Sequence, residues 1–213
     1  MRFRSILILA ALFLAVLAAA AGCGDKAKQE APAAQQTPAA TAAADDRTAE
    51  LTACRTAVDR LGQTLRGALQ EAIAANGAIG ALEVCNIEAL PLTKTISTEE
   101  GVIIGRTSLQ VRNPGNAPDA WEQARLAEFA TRKAAGEDLG AMEVWEVVDD
   151  AAGHRTFRYM KAIGTAPMCL QCHGTELATD VAAAVKKLYP DDAATGFAVG
   201  DLRGAFTVSK PLS

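Results

Sequence analysis

Two cysteines and a histidine stand at Cys169, Cys172 and His173, a C-x-x-C-H run followed by Gly174. That spacing is the attachment signature of a c-type haem. Positions i, i+3 and i+4 share one helical face, so two thiols can add to the two vinyl groups while the imidazole of His173 reaches the iron from the same side. A redox dithiol would want a βαβ neighbourhood, and a zinc site a second C-x-x-C or a histidine pair; the sequence offers neither. Only 2 histidines occur in the chain, and one of them is here.

A haem held in this way takes a second axial ligand, and the candidates are few: His154, Met142, Met160, Met168, Cys54 and Cys85. Met168 adjoins Cys169 and cannot easily reach the opposite face of a ring tethered there. His154 falls in Asp149-Asp150-Ala151-Ala152-Gly153-His154, which reads as an exposed hairpin turn. Cys54 fits a helix seam as a small apolar residue. Pattern alone leaves Met160, Met142 and Cys85 open.

The N-terminus says where this chemistry takes place. Arg2 and Arg4 precede an apolar run from Ile6 to Ala21, and Ala20-Ala21-Gly22-Cys23 closes it with small residues. Residues 1–22 therefore read as an export signal, too short at about sixteen apolar residues for a membrane span. The ending resembles a bacterial lipobox, which makes Cys23 the lipidated first residue of a lipoprotein on the periplasmic side of a bacterial membrane. Residues 23–44, rich in Ala, Pro, Gln and Thr, have nothing to bury and read as a disordered tether. Loss of the signal makes a formal net charge of −4 two units more negative, and no basic cluster points to nucleic acid.

Residues 45–213 are left for one domain with a proper core. From Arg47 to about Ala75, Leu51, Cys54, Val58, Leu61, Leu65, Ala68 and Ala72 form one helical stripe, and Asn76-Gly77 is a stop signal. A second helix begins at Ala78, with Ile79, Leu82, Cys85 and Ala89 on one side, and Pro91 ends or kinks it. In a hairpin bent at 76, Cys54 and Cys85 lie at distances from the corner that differ by roughly 20 Å, so no disulfide joins them. Val102 to Val111 reads as a strand and Asp119 as the cap of a helix, with Glu122 at capping-box spacing. Ala141 to Val148 and Thr156 to Ile163 form a strand hairpin, a helix runs from about Glu176 to Leu188, and a last strand spans Leu202 to Ser209. That order is α+β.

Several separated motifs strengthen the picture: Ala78-Ile79 with Val84-Cys85, Gly105-Arg106-Thr107-Ser108-Leu109, Arg112-Asn113-Pro114 with Asn116, Pro118 and Trp121-Glu122, the C-x-x-C-H-G run, and Gly200-Asp201-Leu202-Arg203-Gly204-Ala205. In these the chain resembles the periplasmic c-type haem proteins with a PAS-like fold, a former domain of unknown function known from a cyanobacterial member. The resemblance implies a PAS-like central antiparallel sheet flanked by helices, with the long N-terminal helical hairpin set beside it. It also implies one covalent haem c whose iron is ligated by His173 and, in the Val-Cys motif, Cys85.

A thiolate on iron favours the ferric state and depresses the reduction potential. Arg106, Arg112, Arg203 and Asn113 are candidates to pair the haem propionates, since guanidinium binds carboxylate in a fork. The expected function is an exported, lipid-anchored monohaem sensor of redox state or a small gas, working through a redox or signalling partner. A periplasmic electron-transfer cytochrome is the alternative. An enzyme is disfavoured, because apart from His154 there is no free histidine for distal acid–base work.

Overall fold

The apolar stripe that starts at Leu51 winds into α1 (Thr48–Glu83), and its backbone leaves helical geometry at Gly77, with φ 67° and ψ −167°. A side chain resists that conformation; glycine accepts it. The chain folds back there: Arg60 donates to Glu100 at 2.6 Å and also pairs with Glu99. Residues 40 apart in sequence can meet like this only in a hairpin. Ile96 of the returning arm joins Cys54, Ala57, Val58 and Leu61 in one core cluster.

This computed structural model describes residues 46–150 and 152–212. The chain divides into two units, Met1–Ala44 and Asp45–Ser213, and the described residues belong to the second. The expected signal peptide, Cys23 and the tether lie outside the described residues.

Pro91 neither ends the returning arm nor breaks it. The arm passes through one π-helical turn, Val84–Glu88, and continues as α2 (Ala89–Glu100). In that turn the N–H of Ala89 reaches back to the carbonyl of Val84, five residues earlier. Such a wider turn absorbs one extra residue, and it lies where Pro91 withholds a donor from the regular ladder. Gly101, at φ 64°, stops α2 in the left-handed conformation.

Four antiparallel strands follow: β1 (Ile103–Thr107), β2 (Glu143–Asp149), β3 (Arg155–Gly164) and β4 (Leu202–Pro211), in the order β1-β4-β3-β2. The α+β class and the antiparallel sheet are those expected. β1 is shorter than its apolar run suggested, because Ser108 turns the chain by donating to the Arg203 carbonyl at 2.8 Å and accepting from the Gln110 N–H at 3.1 Å. Alternation along β3 divides the core. Phe157 and Tyr159 face the helical hairpin, whereas Met160 and Ala162 meet α3 (Ala120–Ala134).

The capping box of α3 is formed as its spacing predicted: Asp119 accepts from the Glu122 N–H at 2.8 Å, and Glu122 accepts from the Asp119 N–H at 3.0 Å. Both carboxylates also bind Arg158 of β3, which ties the helix start to the sheet. Trp121 is half-buried at the edge of this cluster, with its indole N–H donated to Glu146 at 2.7 Å. Two further helices, α4 (Leu170–His173) and α5 (Thr179–Leu188), lie between β3 and β4. Val181 and Val185 of α5 pack on Leu82 of α1, with Cys172 alongside.

Candidate functional site

Pro167 opens a short 3-10 turn, Pro167–Cys169, that runs straight into α4, so Cys169, Cys172 and His173 lie on continuous helical backbone. Gly174 then leaves in extended geometry, and a Cβ there would stand 2.6 Å from the Leu170 carbonyl oxygen. The segment after α5 folds over this turn through two bonds, Gly196 N–H to Gly174 O and Phe197 N–H to His173 O, both 3.0 Å.

The imidazole of His173 is fixed from behind. Its Nδ1 lies 2.6 Å from the Ala194 carbonyl oxygen. A carbonyl can only accept, so Nδ1 carries the proton and Nε2 keeps its lone pair. The Phe197 ring meets the imidazole edge-on at 6.4 Å. Burial, reinforced by Arg203 and Arg112, pushes the pKa of His173 down to about 3, so the ring is neutral and able to ligate a metal.

The turn forms part of the wall of a cavity of about 620 Å³. Leu65 and Leu69 of α1, Cys85 of the π-helical turn, Arg106 of β1 and Phe206 of β4 share that wall with Cys169, Cys172 and His173. Burial pushes the Cys85 thiol up, against the pull of Arg106, Arg112 and Arg203. Burial raises Cys172 as well, against Arg112, and Cys85 adds to the rise. The sulfurs at 85 and 172 are thus electrostatic neighbours although they lie far apart in the sequence.

The cavity is rich in cations. Arg106 and Arg203 have no carboxylate partner among the described residues, and burial lowers the pKa of both, that of Arg203 to about 10. Arg203 donates to Ser108 Oγ at 3.1 Å and to the Gln110 carbonyl at 3.3 Å. Arg112, expected among the carboxylate-binding arginines, is already paired: its guanidinium forks onto Asp192 with two contacts of 3.0 Å. Asn113 serves its turn, accepting from the Gly115 N–H at 2.9 Å.

The other candidate ligands are elsewhere. Met142 and Met160 are fully buried in the cluster under α3, and neither lines the cavity. His154 stands on the β2–β3 turn, its side chain 78% exposed and 2.9 Å from Asp150. Met168 lines the cavity next to Cys169. Cys54 is sealed in the core, its thiol pushed up to about 11 by burial, and it forms no disulfide with Cys85. Asp192 and Ala194 were not legible as site residues: nothing in Tyr189-Pro190-Asp191-Asp192 signals that this loop reaches the C-x-x-C-H turn.

Fold and site together define a single α+β domain built round a cavity with a C-x-x-C-H turn in its wall. A family model described as Tll0287-like matches residues 25–211, and the chain belongs to that family. It is similar to the solved structure of the cyanobacterial heme-protein Tll0287, with 25% identity and a TM-score of 0.59 over 78% of this chain and 96% of that one. No curated protein matches it.

Proposed function

We propose that this chain is an exported, lipid-anchored c-type monohaem protein, ligated by His173 and Cys85, that acts as a redox or small-gas sensor module. One observation carries the reading: the C-x-x-C-H turn and Cys85 line one cavity, with the Nε2 lone pair of His173 left free by the Ala194 carbonyl. A volume of about 620 Å³ lies within the usual range for cofactor pockets of roughly 300–1,000 Å³. Arg106 and Arg203, two cations without carboxylate partners among the described residues, suit the two propionates of a haem. Cys169 and Cys172 are the thiols for covalent attachment. The heme protein among its structural neighbours supports the same choice of group.

When bound, the haem supplies a one-electron iron centre and a place for small gases. Around it, Cys85 brings a sulfur that must lose its proton to ligate, and the cations near that sulfur favour the loss. Thiolate ligation lowers the potential and makes exchange with high-potential carriers unfavourable, which suits sensing better than electron traffic. Output then passes to a signalling or redox partner. The four-stranded antiparallel sheet with helices against it is in keeping with a PAS-like module. His154 stands out on the β2–β3 turn, away from the cavity, and we therefore propose a sensor and not an acid–base catalyst.

The test is spectroscopic. The chain is made with a cytochrome-maturation system, and absorption and electron-resonance spectra are recorded with and without carbon monoxide. Cys85→Ala should retain covalent haem and lose the thiolate signature. An unchanged spectrum would remove Cys85 from the iron. Stable six-coordinate iron in both oxidation states, indifferent to carbon monoxide, would favour a periplasmic electron carrier instead.

A further inference from the structure

Arg112 and Asp192 form an ion pair whose side chains are only 8% and 7% exposed. The two residues are 80 apart in sequence, and the pair joins the loop after β1 to the loop after α5. Its guanidinium does more than meet the carboxylate. Nη2 also donates to the Cys172 carbonyl at 2.6 Å and to the Ala194 carbonyl at 3.4 Å. Asp192 Oδ1 in turn accepts from the Ala194 N–H at 3.0 Å. The peptide groups of residue 194 are therefore held at both N–H and C=O, and that C=O receives the proton of His173 Nδ1.

Stability alone is a poor reason for such a pair, because desolvating two charges cancels most of their attraction and apolar residues of similar size would serve as well. Its place in the network gives a better one. We infer that Arg112 and Asp192 are positioning residues: they fix the Ala194 carbonyl, which holds His173 in the tautomer and ring orientation that turn Nε2 toward the cavity. The inference rests on the reading of His173 as an axial ligand, and it assigns the pair a function distinct from binding propionate. Partners behind a ligating histidine commonly tune metal affinity or activity by 10–100-fold.

Nitrogen-15 NMR tests it on the full chain made without haem, where only 2 histidines contribute. In the parent, His173 should show a single tautomer protonated at Nδ1. Asp192→Asn keeps the shape of the side chain and an acceptor for Ala194 but removes the charge, and Arg112→Lys keeps the charge but loses the fork. Both should give a mixture of tautomers. In the haem-loaded protein with Cys85→Ala, the ferrous iron–imidazole stretch in resonance Raman should fall in frequency when either change is added, with covalent haem retained. Were both variants to keep the parent tautomer and stretching frequency, the pair would be structural only and the inference overturned. A parent chain that never acquires haem would instead overturn the functional reading, and the tautomer experiment would still decide this one.

Discussion

The sharpest consequence of the cation-rich cavity concerns Arg203. Burial, and after it Arg112 and Arg106, lower its pKa well below the usual arginine value, to about 10. At about 1.36 kcal/mol per unit, the charged form carries a penalty of roughly 3 kcal/mol in the ligand-free fold. The sign follows from proton counting. From about pH 10 up to the ordinary arginine pKa the unfolded chain binds more protons than the folded one, so stability rises across that window and the full penalty applies at neutral pH. Against it stand two hydrogen bonds from a charged donor, to Ser108 Oγ and the Gln110 carbonyl, worth about 1.5 kcal/mol each. Its stacking over Phe197, with 5.2 Å to the ring centroid, adds about 0.5 kcal/mol. Arg203→Met removes penalty and contacts together, and the ligand-free chain should stay within about 1 kcal/mol of the parent. In the haem-loaded chain a propionate offsets the penalty, so the same change should cost about 3 kcal/mol or more. Urea unfolding followed by circular dichroism, on chain made with and without the maturation system, measures both. Equal losses in the two forms would refute the reasoning, because Arg203 would then be a packing strut and not an anion-binding group.

The ligand-free chain should lose stability in mild acid. His173 has a folded pKa near 3 against 6.5 in the unfolded chain, so the unfolded chain takes up a proton that the fold refuses, and stability falls from about pH 6.5 toward pH 3. The loss amounts to roughly 5 kcal/mol when complete, and His173→Gln should remove that part of the pH profile of denaturant midpoints. Cys54→Ala deletes a buried sulfur from the cluster of Leu61, Ile96 and Phe157 and should cost about 1–2 kcal/mol in thermal unfolding, with the haem spectrum unchanged. A changed spectrum would place Cys54, not Cys85, near the iron.

Much of the fold was legible because it is encoded locally. The stripe from Leu51 to Ala72, the stop at Asn76-Gly77 and the box at Asp119 and Glu122 are each written within a few residues, and each stands as expected. Pro91 left ending and kinking open because proline reports only that a donor is missing; the helix does not end there but continues through it after a π-helical turn. β1 ended early for a similar reason: the partner that turns Ser108 is the carbonyl of Arg203, 95 residues away. At the site, the three residues of the C-x-x-C-H run could be named from spacing, and pattern left Cys85 level with Met142 and Met160. Burial of both methionines beneath α3 separates them from it. Arg112, which lines the cavity, is forked onto Asp192, and no local signal couples residues so far apart.

The wider helical turn at Val84–Glu88 works as an indexing step. One surplus residue advances the helix by about 100° relative to a regular one. The sulfur at 85 can thereby be aimed independently of the phase that seats Ile96 in the core on the far side of the turn. A deletion of one residue from this stretch would leave both arms intact and swing one against the other, so the bearing of the Cys85 thiol is adjustable by chain length without rewriting either packed surface. Among relatives of this fold, a change of length here would re-aim the group presented to the cavity more readily than any substitution.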